Sequence, residues 1–385
     1  MAGALEGIRV IDITTFLMGP VATQMLGDMG ADVIKIEPPE GDPTRGIGQK
    51  RSPGMGSFFL NLNRNKRSVV LDLKQPSGRA QLQSLIAGAD VVVHNMRAGA
   101  AERLGVDYAS LAGRFPRLIH ATAQGFGKGG RYFDRPAYDD VIQGLSGVPG
   151  LNQRMTGQPG YIPMLMADKL CGVYLYSAIV TALLHRERAG IGQEVQLPML
   201  EAMAGFNLHE HMADHVFVPE PGKAAAPLGY ARVFSAVHRP LGTGDKPLCI
   251  VANTDAQWHR LFALIGRSDL RDDARFATIG QRMTHVVELY NLVEAALGTR
   301  SREAWLEAFA AAEIPAGPAN ELEDVRADPH LAETGFFEVF DHASEGQLLM
   351  PRSAMMLSAT PAEIRYGPPR LGQHTDEVLG TGARD

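Results

Sequence analysis

The sequence predicts an α/β fold with a parallel sheet, and three observations carry that expectation. Short β-branched runs recur through the first half of the chain, at IRVIDIT (Ile8 to Thr14), ADVIKIE (Ala31 to Glu37), VVLDL (Val69 to Leu73), ADVVVHN (Ala89 to Asn95) and RLIHATA (Arg117 to Ala123). Helical segments alternate with them, since Pro20 to Gly30 carries Val21, Met25, Leu26 and Met29 at helical spacing and Gly78 to Ala87 also reads as a helix. The strands are apolar almost throughout, as expected where helices cover both faces of a sheet joined by right-handed crossovers.

The remaining elements follow in order. Asp168 to Arg188 reads as an apolar helix stopped by Gly190 and Gly192, and QEVQLPM as another strand. A composition break at VPEPGKAAAPLG (Val218 to Gly229) fits a linker. That places an N-terminal part at 1–217 and a small α/β domain at 230–314, the latter holding strand-like KPLCIVAN and helical patterns at Gln257 to Ile265, Met283 to Leu297 and Arg302 to Ala312. From about Pro315 to residue 385 the chain is rich in proline and loops.

A length of 385 residues favours two domains, at roughly 100 to 200 residues each. With 45% hydrophobic and 21% charged residues, the composition excludes disordered, collagen-like and coiled-coil chains. Thirty-seven basic against 43 acidic residues give a net charge of −6, without the basic footprint of a nucleic-acid binder. Two cysteines, Cys171 and Cys249, are too few for a disulfide framework or a four-thiolate zinc site and suit a reducing compartment, the cytoplasm. Both lie in apolar runs, where a buried, inert thiol is expected. Asp12 interrupts the place where a secretory signal needs its apolar core, so no export is expected. The apolar run Leu170 to Leu184 has 15 residues, below the roughly 18 of a membrane span, and reads as a buried helix.

Several segments could carry chemistry. GFGKGG (Gly125 to Gly130) follows a strand and satisfies G-x-G-x-x-G, but RYFDRPAYDD after it offers no helix to aim at a pyrophosphate, which favours a tight turn. HEHMADH sets His211 and His215 one helical turn apart without a fourth ligand, so a solvated helix face is expected and no metal is assigned. Arg64, Lys66, Arg67 and Lys74, with Arg97 and Arg103, are the local candidates for gripping phosphate, although each alone reads as a surface charge. Asp168 stands at the start of the apolar helix. It is either an N-cap, contributing about 1 kcal/mol, or an ionised nucleophile held by helix amides and the helix dipole. On the residues alone the cap is favoured.

Taken together, LEGIRVIDIT, GPVATQMLGDMGADVIKIEPPEGDPTR, NRNKRSVVLDLK, VVVHNMRAGAAERLG, PRLIHATAQGFGKGG, RPAYDDVIQ, ADKLCG, LLHRERAGIGQEVQLPMLEA, IPAGPAN and PRLGQHTDEVL resemble the class III CoA-transferase (CaiB/BaiF) family over nearly the whole chain. The resemblance implies a large Rossmann-like domain with a parallel sheet built from both chain ends, a small inserted domain and an interlocked homodimer. It implies that Asp168 is the nucleophile, forming an aspartyl anhydride and then an aspartyl-CoA thioester. Acyl-CoA and a small carboxylic acid would be substrates, with no tightly bound cofactor. By position, Leu71, Asp72, Leu73 and Lys74 would line the adenine and ribose of CoA, and Asn95, Met96, Arg97 and Arg103 would lie near its phosphates. Tyr138 and Asp139 would flank the reacting centre. Family habit points to succinyl-CoA or acetyl-CoA as donor.

Departures bear on the substrate. Leu17 and Pro38 replace a glutamine and a basic residue of the formyl-CoA transferases, and their glycine run is reduced to Gly242 and Gly244, which disfavours oxalate as acceptor. His238 and Arg239 are alternative partners for an acceptor carboxylate. The related α-methylacyl-CoA racemases use a histidine where Tyr138 stands, and a tyrosine, with a pKa of about 10, is a poor base at neutral pH. A catalytically silent acyl-CoA-binding protein is a third reading.

Overall fold

In the computed structural model, which describes residues 3–218 and 227–380, the β-branched runs form one parallel sheet. Its strands are β1 (Arg9–Ile13), β2 (Asp32–Glu37), β3 (Lys66–Val70), β4 (Val91–His94), β5 (Ile119–Gln124) and β6 (Glu194–Pro198), in the order β3-β2-β1-β4-β5-β6. All five pairings are parallel, and Ile11 lies opposite Ile34 on one side and Val92 on the other. The chain winds outward from β1 to β3 and then restarts at β4, so the strand order reverses between β1 and β4. A crevice opens at such a reversal, beyond the carboxyl ends of the strands.

Successive residues alternate between two cores, as the two-residue period of a strand requires. Val10, Val33, Val91, Val93 and Ile119 face α1 (Met18–Asp28) and a later helix, whereas Ile11, Ile34, Val69 and Val92 pack with Leu82, Ile86 and Ala101 of α2 (Pro76–Ala87) and α3 (Ala98–Leu104). After α4 (Asp139–Leu145) comes α5 (Met166–Ala189), whose buried stripe of Ala167, Cys171, Leu175 and Ile179 packs in the first core. Its 24 residues are long and apolar enough to cross a membrane by length and composition. Close approach to α1 depends on Gly172, where a Cβ would lie 2.8 Å from the Met18 carbonyl oxygen.

β3 begins three residues before the sequence reading placed it, because its first residue is a buried lysine. Lys66 is fully buried, as are Asp12 and Lys35. Lys66 Nζ donates to Asn63 Oδ1 (2.9 Å), the Pro20 carbonyl (3.0 Å) and Asp12 Oδ2 (3.2 Å). Lys35 pairs with Asp42 at 2.9 Å and donates to the Thr14 carbonyl at 2.8 Å. Arg45 closes a two-point pair with Glu37, both contacts at 2.7 Å. Burial works to raise the Asp12 carboxyl, but Lys66, Lys35 and the Thr14 and Thr23 hydroxyls outweigh it and hold it at about 2.

The C-terminal segment returns to the large unit without adding a strand to the parallel sheet, which takes all its strands from residues 9–198. It forms an antiparallel hairpin, β9 (Phe337–His342) with β10 (Gly346–Pro351), after the small unit. It then covers the open edge of β3. His374 N donates to the Ser68 carbonyl (2.9 Å), while Ser68 N donates to His374 Nδ1 (3.2 Å) and Val70 N to Thr375 Oγ1 (3.1 Å). Side chains thus stand in for half of a strand ladder, and the edge offers few free amides to another chain.

By contacts the chain divides into one unit of Met1–Pro149, Gly160–Asn207 and His330–Asp385, and another of Gly150–Pro159 and Leu208–Pro329. Most of the expected linker, 219–226, lies outside the described residues. The proline-rich stretch begins inside the small unit, where β8 (Ala316–Pro318) pairs antiparallel with β7 (Leu248–Ile250), and the chain passes to the large unit at His330. That unit has its own core, in which Trp258, Phe262, Leu289, Trp305 and Phe309 are buried. The expected helix over Met283 to Leu297 is broken at His285, which ends one helix and begins the next.

Asp12→Ala would leave two buried lysines short of a counter-charge. Urea unfolding should show a loss of about 3–5 kcal/mol; a loss below about 1 kcal/mol would mean that water solvates the cluster.

Candidate active site

A cavity of about 200 Å³ lies at the strand-order reversal, lined by Thr15 to Met18 after β1, Asn95 to Ala98 after β4, Ala123 to Gly125 at the end of β5, Arg135 to Tyr138, and Asp168. The first two loops are joined by one side chain. Asn95 Oδ1 accepts from Thr15 N at 3.2 Å, and Asn95 Nδ2 donates to the Thr15 carbonyl at 2.9 Å. His94 anchors the same loop from below, its Nδ1 accepting from Met96 N at 3.3 Å. Burial, and then the neighbouring His120 ring, pushes His94 down to about 3, so this ring is neutral at physiological pH. Phe16 takes a left-handed backbone conformation (φ 67°), unusual for a bulky side chain, and meets Tyr138 edge-to-face at 5.7 Å. Tyr138 is 63% exposed.

Asp168 is not the N-cap of α5. Leu165 holds that position without a side-chain hydrogen bond, and Asp168 is the third helical residue. The capping is done from another helix. Asp139, 3% exposed at the start of α4, accepts the Asp168 N–H on Oδ1 (3.0 Å) and Gln143 Nε2 on Oδ2 (2.6 Å). Gln143 is fixed in turn by Ile162 N (3.0 Å) and the Met164 carbonyl (3.1 Å). The Asp168 carboxylate is left half-buried and, among the described residues, accepts no hydrogen bond. Burial first, and the Asp139 carboxylate second, push it up to about 7. Such a group is more basic than an ordinary carboxylate yet substantially ionised at neutral pH, which suits a nucleophile or a proton carrier.

The sequence profile of CoA-transferase family III matches residues 5–375. The chain belongs to this family. It is 35% identical to a succinate–glutarate CoA-transferase of Agrobacterium fabrum, over 97% of this chain and 94% of that one. An acetyl-CoA:oxalate CoA-transferase of Acetobacter aceti is 34% identical, over 96% and 94%. Among solved structures, a CaiB/BaiF family protein from Brucella suis superposes with a TM-score of 0.82 at 32% identity, covering 99% of this chain and all of that one. The chain is therefore an enzyme of the class that transfers CoA between carboxylic acids.

The residues that the family resemblance points to fall into two groups. Asn95, Met96, Arg97, Tyr138 and Asp168 share the cavity, with Asp139 directly behind it. Leu71 to Lys74 and Arg103 are not in its lining. Leu71 gives its side chain to the core, Asp72 Oδ1 accepts from Lys74 N (3.0 Å), and Arg103 is exposed in the last turn of α3. Three of the expected phosphate grips are structural: Arg64 makes a two-point pair with Asp28, Lys66 is buried on Asp12, and Arg67 pairs with Asp32 and Glu377.

Leu17 lines the cavity, whereas Pro38 is exposed on the loop after β2 and outside the lining. In the small unit, His238 and Arg239 line a separate cavity of about 300 Å³. Arg239 is held there by Glu294, with both contacts at 2.8 Å. It is thus no longer a free cation for an acceptor. Gly242 N donates to the same Glu294 and Gly244 N to the Arg300 carbonyl, each at 2.8 Å. Burial pushes the Cys171 thiol up to about 12, with Asp168 adding to the effect. Cys249 is exposed instead, as the outward residue of alternating β7. His211 Nδ1 accepts from Tyr230 N at 3.2 Å and its ring stacks on Phe234 at 5.3 Å.

GFGKGG runs into turns, and the next helix starts only at Asp139. Gly125 is required because a Cβ there would lie 2.4 Å from the Ala137 Cβ, and Gly127 N is held by Glu201 Oε1 at 2.9 Å. Sequence reasoning missed Phe16, Gln124 and Arg135 as lining residues. Gln124 and Arg135 carried a signal, since they lie inside PRLIHATAQGFGKGG and RPAYDDVIQ, and Phe16 carried none.

Difference infrared titration, assigned with Asp168→Asn, should place the Asp168 carboxyl near pH 7. Asp139→Asn keeps an acceptor for the Asp168 N–H but removes the neighbouring charge, so the midpoint should fall. An unchanged midpoint would leave burial as the sole cause.

Proposed function

We propose that this chain moves CoA from an acyl-CoA donor to a carboxylic acid acceptor with Asp168 as covalent nucleophile. The observation that carries this reading is the half-buried Asp168 carboxylate, which accepts no hydrogen bond among the described residues and opens on the cavity at the strand-order reversal. Its backbone is locked by Asp139, so the reactive oxygens are free while their position is fixed.

The cycle balances without outside energy. The Asp168 carboxylate attacks the donor thioester carbonyl, the C–S bond breaks, and a mixed anhydride forms as CoA leaves as thiolate. The thiolate attacks the aspartyl carbonyl and releases the donor acid, leaving an aspartyl-CoA thioester. The acceptor carboxylate attacks that thioester to give a second anhydride and thiolate, and the thiolate then takes the acceptor acyl group and frees Asp168. Each step replaces one acyl bond by another, so proximity and exclusion of water are the main demands. Arg97 and the Leu71 to Lys74 loop are the proposed CoA contacts, Arg103 a further one, and Tyr138 flanks the reacting carbonyl. A homodimer working in the cytoplasm completes the reading; the low cysteine content suits that compartment.

Intact-protein mass spectrometry with a panel of acyl-CoAs and hydroxylamine trapping should give an adduct on the peptide holding Asp168. Asp168→Ala should remove it and lower turnover by about 10³-fold or more. No adduct from any donor, with solvent deuterium entering the acyl α-carbon, would make the chain a racemase; binding without either would make it a silent acyl-CoA binder. Since only the ionised carboxylate attacks, kcat/KM should rise with pH through about 7 and level off above it. A profile flat from pH 6 to 8 would contradict this assignment.

A further inference from the structure

The cavity holds a cation that the cycle above does not use. Arg135 lines it together with Asp168. Several arginines of the large unit are committed to carboxylates: Arg45 to Glu37, Arg64 to Asp28, Arg67 to Asp32, and Arg186, near the end of α5, to Asp90. Arg135 pairs with no carboxylate among the described residues. Its guanidinium lies over the Tyr132 ring at 4.5 Å, and that ring packs edge-on against buried Phe126 at 5.5 Å. The aromatic platform holds the planar group in place and leaves its N–H edge to a ligand, at lower ordering cost than a free side chain would incur.

Charge and polarity decide what that ligand is. Asp168 and Asp139 make the reacting end of the cavity acidic, so a second anionic group on the substrate would be repelled there. Phe16, Phe133, Pro136 and Tyr138 supply an apolar wall. A short aliphatic chain with a carboxylate at each end fits this distribution, one end at Asp168 and the other on a guanidinium that can bind it at two points. Resting on the transferase reading above, we infer that Arg135 binds the distal carboxylate of a short dicarboxylic acid and so sets the acid specificity of the enzyme.

Glutarate and valerate, equal in chain length and differing in the second carboxylate, test this with whichever donor labels Asp168 in the wild type. The glutarate-to-valerate ratio of kcat/KM should fall by about 10- to 100-fold in Arg135→Ala and Arg135→Gln. Arg135→Lys should keep part of it, as a point charge without the fork. Thermal midpoints and Kd for free CoA, taken alongside, separate misfolding from recognition. An unchanged ratio in the folded variants, or equal losses for both acids, overturns the inference while leaving the transferase intact. A loss explained by weaker CoA binding moves Arg135 to the CoA phosphates and overturns it too. If the wild type labels with no donor and transfers to neither acid, the transferase reading fails and this inference falls with it.

Discussion

Six buried charges beneath the β1 loop are the constraint on which the rest of the large unit depends. Asp12, Glu37 and Asp42 face Lys35, Lys66 and Arg45, three against three, in a region almost closed to water. Taking such groups out of water costs several kcal/mol per ion, and an apolar core of equal volume would often be as stable. What the cluster supplies is direction. Lys35 holds the Thr14 carbonyl, so the loop that carries Thr15 and Phe16 leaves β1 at a fixed angle. Arg45 reaches the Pro369 carbonyl at 3.2 Å, and Ser68 Oγ, bound to Glu37 at 2.6 Å, accepts from Gly372 N. One network therefore aims the cavity loop and fastens the returning C-terminal segment.

The two informative aspartates show how environment, not residue type, assigns a role. Asp12 and Asp168 are the same carboxylate, and burial works to raise both. Around Asp12, two ammonium groups and two hydroxyls overcome that penalty and hold it at about 2, which makes it a permanent anion and a structural one. At Asp168 the charge that acts is another carboxylate, Asp139, which adds to the penalty and holds the group at about 7. A carboxylate that accepts no hydrogen bond among the described residues keeps its lone pairs available, at a cost in stability that the surrounding packing must offset.

The sequence foreshadowed much of this, and what it concealed was of one physical kind. The strands were legible because their burial on both faces leaves an uninterrupted β-branched signature, and Asp168 was legible through the ADKLCG context. The start of β3 was not, because Lys66 is an interior residue with surface chemistry. NRNKRS looked like a phosphate grip for the same reason. Its cations are consumed by Asp28, Asp12 and Asp32, which lie at least 35 positions away in sequence. The cap on α5 was also hidden: a sequence reading looks for a cap just before the helix, whereas Asp139 reaches it from another helix across 29 positions. Cys249 was misjudged because a three-residue strand is too short for its alternation to show.

The same distinction separates what this fold shares from what it can vary. The position of Asp168 follows from contacts made deep in the large unit, by Asp139, Gln143 and the close α1–α5 packing at Gly172, where a change of one methyl group is felt. The wall facing it is built differently. Phe16 and Tyr138 are partly solvent-facing, and Arg135 is exposed on a segment that touches the sheet closely at Gly125. Substitution there would change the size and charge of the cavity wall with little disturbance to the sheet. Under the proposed function, the contacts that position Asp168 and the wall that meets the acid are thus structurally separate, the first deep in the large unit and the second on its solvent side.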